Sequence, residues 1–495
     1  MSAERRRFLE ALAGHARAFP DRVALDDGLG RLTYAELLPE VKRRRERLAA
    51  LGAQRVGLAL DNGLDWALWD LALLSDERVA VPVPSFFSAS QRQHLVASAG
   101  LDSWIGAGFE ATALGFAPSD DKAFACRTLS QPPKMHAGTA KITFTSGTSG
   151  TPKGVCLDSA AMLGVAESIA TLVAPLGIRG HLAVLALSTL LENIGGLYVP
   201  LWLGATCHLP STAKLGWQGA SGFCPHTAMA VIEAVQPQSL ILVPQLLQAL
   251  LTVAPAAPQS LSFVAVGGAR LAPALLTHAE QTGWPVFEGY GLSECASVVS
   301  LNRPGEAAQG VGRPLPHATV RLSDSGEVEI SGATMLGYLG EPPIGAWHSS
   351  GDLGRFEGDH LHLDGRRREV FITAYGRNVD PQWVEAELTL QPMIAQALVN
   401  GEALDHNRAL IVPRDPLADD DTLTAAISAA NARLPDYARV HAWRRATPFT
   451  PVNGQLTANG RLRRTTLLNI YHDWLTAQAT PTSPASFTSS TGSAL

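Results

Sequence analysis

The spacing of apolar positions alternates between a strand-like and a helix-like period up to about residue 310. A short apolar run at residues 55–60 ends at the turn residues 61–63, which predicts a buried strand. Residues 64–74 then follow helical spacing. Thr33 and Glu36 stand at the spacing of a capping box and predict a helix that begins at Tyr34. Strands that alternate with helices predict parallel-rich sheets covered by helices on both faces.

Further segments extend this pattern and then change it. Strands are predicted at residues 79–83, 182–187, 239–243 and 262–266. Beyond residue 310 the runs become short and are separated by glycines, which is typical of antiparallel strands. These strands are predicted at residues 318–322, 327–330 and 360–363, and helices follow near residues 381–390 and 421–433.

Composition narrows the class of protein. A chain of 495 residues with 46% apolar and 17% charged residues can bury two or three cores. A net charge of -6 gives no reason to expect nucleic acid or an anionic membrane as partner. Five scattered cysteines favour a reducing, cytoplasmic location. Glu192 and Asn193 interrupt the longest apolar stretch, so we expect no integral membrane segment.

Residues 142–155 are the most informative stretch of the chain. Its glycines allow the backbone N–H groups to surround an anion, its hydroxyls add donors, and its lysine adds a charge. The lysine follows a proline and has no Ser or Thr directly after it, so this is not the Walker pattern. The candidate phosphate-binding residues are Thr145, Ser146, Gly147, Thr148, Ser149 and Gly150, together with the candidate catalytic residue Lys153.

Other motifs follow this loop in a fixed order. They are Gly289-Tyr290-Gly291-Leu292-Ser293-Glu294, Ser350-Gly351-Asp352, Asp364-Gly365-Arg366-Arg367-Arg368-Glu369 and Tyr375-Gly376-Arg377-Asn378-Val379. Together with the loop they resemble the adenylate-forming superfamily, which comprises acyl-CoA synthetases, firefly-type luciferases and the adenylation domains of peptide synthetases. The resemblance covers about residues 20 to 470.

The resemblance implies an α/β fold with two domains. A large N-terminal domain, residues 1–365, would hold parallel-rich sheets flanked by helices plus a small distorted β-barrel. A smaller, mobile α+β domain would follow at residues 366–478, swinging about a hinge at Arg368. Residues 479–495 are rich in Ser, Thr and Pro, which predicts a disordered tail.

The resemblance also implies an ATP site and assigns roles to its residues. Glu294 would hold the Mg²⁺ that bridges phosphate oxygens. Tyr290 would stack on adenine, and Asp352 would accept hydrogen bonds from both ribose hydroxyls. Gly376 would lie beside the thiol of the acyl acceptor. The remaining residues of the implied nucleotide site are Gly268, Ala269, Gly289, Gly291, Ser293 and Arg366.

One position departs from the family pattern. Members of the superfamily place an adenylating lysine where this chain has Arg461, and the chain has no lysine after Lys214. Arginine keeps the charge and can bind phosphate or carboxylate with two parallel hydrogen bonds, but it is bulkier and planar. Either the pocket is adapted to Arg461 and adenylation persists with Arg461 as the catalytic cation, or the first half-reaction is impaired and the protein does something else with an acyl-adenylate.

The acyl pocket is expected at residues 187–196. Peptide-synthetase relatives place an aspartate here to hold the substrate amine, and its absence disfavours an amino acid substrate. Thr189 stands where long-chain acyl-CoA synthetases often have a histidine, three residues before Glu192. Gly195, Gly196 and the apolar residues 197–202 either leave room for an alkyl or aryl chain or form a core helix.

These observations predict an AMP-forming acid–thiol ligase. It would use ATP and Mg²⁺ to convert a carboxylic acid, fatty or aryl, into an acyl-adenylate with release of pyrophosphate. The acyl group would then pass to a thiol, either that of CoA or the phosphopantetheine of an acyl carrier protein. A protein that only binds an acyl group or a nucleotide is the alternative from another class, because of Arg461.

Overall fold

A computed structural model describes residues 1–76, 78–85, 87–129, 131–145, 152–218, 222–367, 369–373, 378–457 and 460–476. Its α-helices are α1 Ala3–Ala18, α2 Tyr34–Ala50, α3 Leu64–Leu74, α4 Ala89–Ala99, α5 Gly108–Ala113, α6 Ser159–Val173, α7 Leu190–Glu192, α8 Val199–Leu203, α9 Pro225–Val235, α10 Pro244–Val253, α11 Pro273–Gln281, α12 Pro381–Thr389, α13 Asp420–Asn431, α14 Arg464–Ile470 and α15 His472–Thr476.

The strands alternate with these helices in the first half of the chain. In order they are β1 Val23–Asp26, β2 Arg31–Thr33, β3 Arg55–Ala59, β4 Val79–Pro82, β5 Ser103–Gly106, β6 Ala117–Pro118, β7 Phe124–Cys126, β8 Lys141–Thr145, β9 Lys153–Leu157, β10 Gly180–Leu182, β11 Thr206–His208, β12 Trp217–Gln218, β13 Gly222–Phe223, β14 Ser239–Leu242, β15 Phe263–Val266, β16 Val286–Tyr290, β17 Ser300–Leu301, β18 Arg313–Pro314, β19 Ala318–Leu322, β20 Glu327–Gly332, β21 Gly337–Tyr338, β22 His348–Glu357, β23 His360–Arg366, β24 Phe371–Ile372, β25 Asn378–Val379, β26 Ile394–Asn400, β27 Asn407–Pro413 and β28 Val440–Arg445.

Two large sheets form the first part of the molecule. One has the order β18-β17-β16-β15-β14-β10-β11-β1-β2, and its strands from β16 to β1 pair in parallel. The other has the order β21-β9-β8-β4-β3-β5-β7-β6. Apolar residues of α1, α2, α3 and α6 share one core with strands of both sheets. The prediction of parallel-rich sheets covered by helices is confirmed.

Antiparallel structure follows, as the change of pattern predicts. β19, β20, β22 and β23 form a four-stranded sheet. A separate core then forms around α12, α13 and the three-stranded sheet β26-β27-β28. The predicted α/β class with a smaller α+β unit at the C-terminal end is confirmed.

Local predictions mostly agree with the structure, with one clear exception. The helix predicted from Thr33 begins at Tyr34, and Glu36 accepts a hydrogen bond from the Thr33 backbone at 2.8 Å. The strand predicted at residues 182–187 is wrong, because β10 ends at Leu182. After Ala183, whose N–H still donates to the His208 carbonyl of β11, a side chain satisfies the backbone. The Asn62 amide N–H donates to the Leu185 carbonyl at 2.9 Å, and the Asn62 amide oxygen accepts from the Leu187 N–H at 2.7 Å.

The stretch Asn193–Tyr198 is a π-helical segment between α7 and α8. Gly195 lies against Ile241 there, since a β-carbon on the glycine would stand 2.6 Å from the isoleucine Cδ1. The stretch Ser159–Leu176, which contains α6, is long and apolar enough to cross a membrane by length and composition alone. It packs against the π-helical segment, which in turn contacts β14.

A polar network lies inside the core beside the π-helical segment. The Lys141 ammonium donates to Asp70 at 2.7 Å, to the Tyr198 hydroxyl at 2.9 Å and to the Asn193 side chain. The Tyr198 hydroxyl in turn donates to Asp70 at 2.5 Å. All four side chains are buried. Desolvation lowers the pKa of Lys141, although the Asp70 carboxylate opposes the shift.

Candidate active site

A cleft of about 2300 Å³ runs between the two parts of the chain. The first wall is the carboxyl end of β15 and β16, where strands of a parallel sheet present their loops. The second wall comes from β22 and β23, and the third from the C-terminal unit around Arg461. Three sequence motifs that lie far apart along the chain therefore meet in one place.

Tyr290, Asp352 and Arg366 form a connected group in this cleft. The Tyr290 hydroxyl donates to Asp352 Oδ2 at 2.6 Å, and Arg366 Nε lies 3.1 Å from Asp352 Oδ1. Burial and the neighbouring carboxylate raise the pKa of Tyr290 well above its usual value. Burial alone would lower the pKa of Arg366, but the charge of Asp352 raises it. The Asp352 carboxyl group is thus held between the Tyr290 hydroxyl and the Arg366 guanidinium.

Glu294 lies on a 3₁₀ turn, Ser293–Cys295, directly after the glycine-containing strand end. One of its carboxylate oxygens accepts a hydrogen bond from the Tyr338 hydroxyl at 2.7 Å. Its backbone carbonyl accepts from the Met335 N–H at 2.6 Å. Both contacts fix the carboxylate on the wall of the cleft and leave its second oxygen able to bind another ligand.

Lys153 is not among the residues that line the cleft. Its ammonium pairs with Glu341 at 2.9 Å and lies 4.8 Å from the centre of the Tyr338 ring. About half of the side chain is exposed. A catalytic role for Lys153 stays a prediction.

Glycines bring backbone close to backbone around Tyr290. A β-carbon at Gly291 would stand 1.6 Å from the Ser297 carbonyl oxygen, and one at Gly289 would stand 2.9 Å from that of Ser300. Gly268 has a positive φ of 80°, which favours glycine. Gly268 and Ala269 line the cleft opposite these residues. The motif glycines therefore shape the wall rather than contribute chemistry.

Arg461 extends from the C-terminal unit into the cleft. Its guanidinium donates to the Gly268 carbonyl at 2.6 Å, and its backbone N–H donates to the Thr457 hydroxyl at 3.0 Å. The side chain is open to the cleft, but its walls displace enough water to lower the pKa of the guanidinium. The charge of Arg366 lowers it further, while Asp352 and Glu294 oppose the shift. These charges act on Arg461 because all of them face the same space.

Sequence analysis missed two residues on this wall. Arg270, two positions after Gly268, pairs with Asp380 of the C-terminal unit at 2.5 Å. Glu288 precedes Gly289 and accepts a hydrogen bond from the Leu271 N–H at 3.4 Å. Desolvation raises the pKa of Glu288 to about 7, and the charge of Arg270 opposes the shift. The sequence did carry a signal for both residues, since Arg270 follows the glycine pair 267–268 closely and Glu288 directly precedes Gly289.

Several predicted residues lie outside the described residues. They are Ser146, Gly147, Thr148, Ser149 and Gly150 of the phosphate loop, Arg368 of the hinge, Gly376 of the thiol-binding loop, and the tail from residue 479. Thr145 is described: it ends β8 and lines the cleft. Ser293 lines it as well.

An apolar arm extends from the cleft along the sheet face that carries β14 and β15. It reaches from Gly267, at the carboxyl end of β15, to Ser239, at the first residue of β14. Residues of α6, the π-helical segment and α8 cover it. The side chains and backbone that line it are Ile169, Val173, Ile178, Gly195, Val199, Leu203, Ile241, Phe263 and Ala265. Gly195 lines the arm and packs against Ile241, and its making room for an acyl chain stays a prediction.

The carboxylate donors fit a magnesium ion that arrives with a nucleotide. No group of three or more His, Cys, Asp or Glu side chains is placed to hold a metal within the part of the chain that the structure describes. Magnesium commonly takes one or two carboxylates and completes its shell with phosphate oxygens and water. Glu294 offers one such carboxylate oxygen.

Comparison with known proteins adds the family. Residues 12–339 match the family described as AMP-binding enzyme, and residues 368–478 match the AMP-binding enzyme C-terminal domain. Together the two matches leave few residues of the chain unassigned.

Named relatives agree with this match. A long-chain-fatty-acid–CoA ligase of Mycobacterium bovis is 36% identical over 154 residues, 29% of this chain and 26% of that protein. The chain therefore aligns with about a quarter of that relative's length. A 2-succinylbenzoate–CoA ligase of Bacillus licheniformis is 25% identical over 428 residues, 79% of this chain and 86% of that protein.

Solved structures share the fold. The o-succinylbenzoate coenzyme A synthetase of Bacillus subtilis, in complex with ATP and magnesium ion, superposes with a TM-score of 0.75 at 23% identity. The match covers 92% of this chain and 98% of that one.

Proposed function

This chain belongs to the AMP-binding enzyme family, and we propose that it is an AMP-forming acid–CoA ligase. It would convert a carboxylic acid and ATP into an acyl-adenylate and pyrophosphate, and then transfer the acyl group to the thiol of CoA. The observation that carries the proposal is the position of Arg461, which the C-terminal unit brings to the Gly268 carbonyl, in the same cleft as Asp352 and Glu294.

Nucleotide binding follows from the fixed groups of the cleft. The oxygens of Asp352 can accept hydrogen bonds from ribose hydroxyls, with Arg366 holding the side chain in place. The Tyr290 ring and the glycine-lined backbone offer a flat surface for adenine. Glu288 on the same wall can accept from an amino group when it is ionised. Mg²⁺ bound with ATP at Glu294 would supply charge that screens the phosphates.

The first reaction joins two anions, so it depends on positive charge. A carboxylate oxygen of the acid attacks the α-phosphorus, the bond to the bridging oxygen breaks, and pyrophosphate leaves with that electron pair. Arg461 stabilises the negative charge that develops on the phosphate oxygens and can bind two of them in parallel. No side chain has to accept or donate a proton in this step.

The acid substrate is proposed from the apolar arm and from the relatives. The arm is lined by aliphatic and aromatic groups, which suits an alkyl or aryl chain. Relatives named for long-chain fatty acids and for 2-succinylbenzoate are consistent with both types. CoA is the acceptor in the names of these relatives. An acyl carrier protein as acceptor and a protein without catalytic activity gain no support from these observations.

We also propose that residues 1–365 and 366–478 act as two domains, with residues 479–495 as a tail. The first would bind the nucleotide and the acid, and the second would deliver Arg461 and later make way for the thiol. A cytoplasmic location is proposed from the cysteine content.

The test is acid-dependent release of pyrophosphate from ATP and Mg²⁺, with hydroxylamine present to trap the acyl-adenylate. A panel should contain fatty acids of several lengths, benzoic acid and 2-succinylbenzoic acid. We expect at least one acid to give both pyrophosphate and the hydroxamate. No release with any acid, from protein that measurably binds ATP, would overturn the proposal.

A further inference from the structure

A chain of three polar side chains crosses the far end of the apolar arm. His181 of β10 and Ser239 of β14 are paired neighbours on two adjacent, parallel strands of the sheet. His181 Nδ1 and Ser239 Oγ are 2.9 Å apart, and His181 Nε2 lies 2.9 Å from Glu192 Oε1. All three side chains are buried, and the first two line the cavity.

The fold makes room for this arrangement. A β-carbon at Gly196 would stand 1.9 Å from Glu192 Oε1 and 2.7 Å from His181 Nε2, so only glycine fits there. The second carboxylate oxygen of Glu192 accepts from the Leu185 N–H at 3.0 Å. The π-helical segment and the interrupted strand therefore both serve to place Glu192 against His181.

Ser239 has hydrogen-bonding capacity left on the side of the arm. A hydroxyl offers one donor and two acceptor sites, and the contact with His181 uses one of these three. If His181 Nδ1 accepts a hydrogen bond from the Ser239 hydroxyl, Ser239 presents its lone pairs to the cavity. If the ring is protonated at Nδ1, Ser239 presents its proton instead. A ligand hydroxyl satisfies either case, because it both donates and accepts.

We propose that Ser239, oriented by His181 and Glu192, binds a hydroxyl group at the distal end of the acid's chain. This inference rests on the proposed function, which places the carboxyl group near Arg461. β14 and β15 pair from Ser239 opposite Phe263 to Leu242 opposite Val266, one residue before Gly267. Because of the rise per residue of a β-strand, Ser239 lies about 13 Å from Gly267, at the end of the arm where the acid's carboxyl group would bind.

A second carboxylate is excluded from the same place. Glu192 lies buried next to His181, and desolvation by this burial raises the pKa of Glu192. An additional anion would be desolvated and would repel Glu192 whenever that group is ionised. The site therefore selects a neutral, hydroxylated chain over a dicarboxylic acid of equal length.

The experiment compares three acids of one chain length: decanoic, 10-hydroxydecanoic and decanedioic acid. Calorimetry with the full chain and a non-hydrolysable ATP analogue gives the dissociation constant of each, and pyrophosphate release gives kcat/KM. We expect 10-hydroxydecanoic acid to bind about 10-fold more tightly than decanoic acid, the worth of one buried hydrogen bond. Decanedioic acid should bind more weakly than both.

Two serine variants test the residue itself. Ser239→Ala should reduce the preference to about 1, because the hydroxyl that distinguishes the two acids is gone. Ser262→Ala is the matched control, since this serine bonds to the Gln238 carbonyl and does not line the cavity. It should keep the full preference. Thermal melting of both variants checks that the fold is intact.

The possible outcomes distinguish failure of this inference from failure of the proposed function. Equal affinity for decanoic and 10-hydroxydecanoic acid, or a preference that survives Ser239→Ala, would overturn the inference even if acids are activated. A Ser239-dependent preference in binding without any pyrophosphate release would support the inference while overturning the proposed reaction. Tightest binding of decanedioic acid would overturn the assignment of a neutral group.

Discussion

Lys141 and Arg461 are two cations placed among carboxylates and hydrogen-bonding groups, in opposite surroundings. Lys141 is enclosed in the core, where Asp70, Asn193 and Tyr198 accept each of its three N–H donors. Arg461 stands in an open cleft and donates to a backbone carbonyl, while the carboxylates that influence it, Asp352 and Glu294, bind other partners.

The difference separates a structural from a catalytic use of charge. A buried cation whose donors are all satisfied has nothing to offer a ligand, and its removal leaves a buried carboxylate without its counter-ion. A cation in a cleft can exchange its backbone contact for a substrate oxygen at little cost. Burial and hydrogen-bond saturation, rather than charge, therefore distinguish the two roles.

The largest effect is expected at the buried centre. Lys141→Met should lower the free energy of unfolding by about 3–5 kcal/mol, because Asp70 stays buried without its cation. Denaturant unfolding measures this loss. The double variant Lys141→Met/Asp70→Asn should recover much of it, since no uncompensated charge remains. A single variant as stable as the native chain would contradict the structural role.

The opposite pattern is expected at the cleft. Arg461→Ala should slow acyl-adenylate formation by about 10²–10³-fold without changing the unfolding midpoint, because a charge that stabilises the transition state is lost. Transfer to CoA from supplied acyl-AMP should be largely retained. Arg321→Ala is the control, as that arginine forms an exposed pair with Glu329. Equal loss of both half-reactions would count against a role in adenylation.

A smaller effect is expected from the carboxylate that is fixed beside Arg461. Asp352→Asn should weaken ATP binding by about 10-fold or more, since one charge-assisted acceptor is lost. Calorimetric titration with ATP measures the change. Asp364→Asn serves as the control, because Asp364 makes an exposed pair with Arg355. Unchanged affinity in Asp352→Asn would remove this residue from the nucleotide site.

The smallest effect concerns pH at Glu288. Its folded pKa of about 7 exceeds the usual value of 4.5, so its neutral form is favoured in the fold. The stability that this form contributes is fully present below pH 4.5 and is lost as pH rises through 7. Glu288→Gln cannot ionise, so it should gain stability relative to the native chain as pH rises from 5 to 8.

Unfolding at both pH values measures this gain, with exposed Glu280→Gln as the control. A pH-independent difference between Glu288→Gln and the native chain would show that Glu288 does not titrate in this range. Arg270, the cation that opposes the shift, is present in both proteins. A pH-dependent gain would assign this pH sensitivity of the unfolding free energy to Glu288 in the cleft and not to the buried Lys141 network.

Much of the fold could be predicted from local pattern. The helix Leu64–Leu74 has the predicted bounds, and β3, β14 and β15 lie within one or two residues of theirs, because apolar period and turn residues determine them locally. The end of β10 could not be predicted. It depends on side chains that bind the backbone of Leu185 and Leu187: Asn62 comes from a distant part of the chain, and Glu192 comes from the helical turn that follows.

The site divides in the same way. Motif order gave Tyr290, Asp352, Glu294 and Arg461, and the structure brings these residues to one cleft. Arg270 and Glu288 could not be predicted because their partners are distant along the chain. Arg270 pairs with Asp380, and Glu288 accepts a hydrogen bond from the Leu271 N–H. Pairs of this kind depend on tertiary distance, and no period or spacing encodes it.

The guanidinium of Arg461 also affects which side reactions the acyl-adenylate can undergo in the cleft. An acyl-adenylate is an acylating agent, and an amine held beside it would be a competing nucleophile, whereas a protonated guanidinium is not. Among the described residues that line the cleft there is no lysine, and the sequence has none after Lys214. The protein can thus hold an activated acyl group without an amine of the cleft wall at hand to become acylated itself.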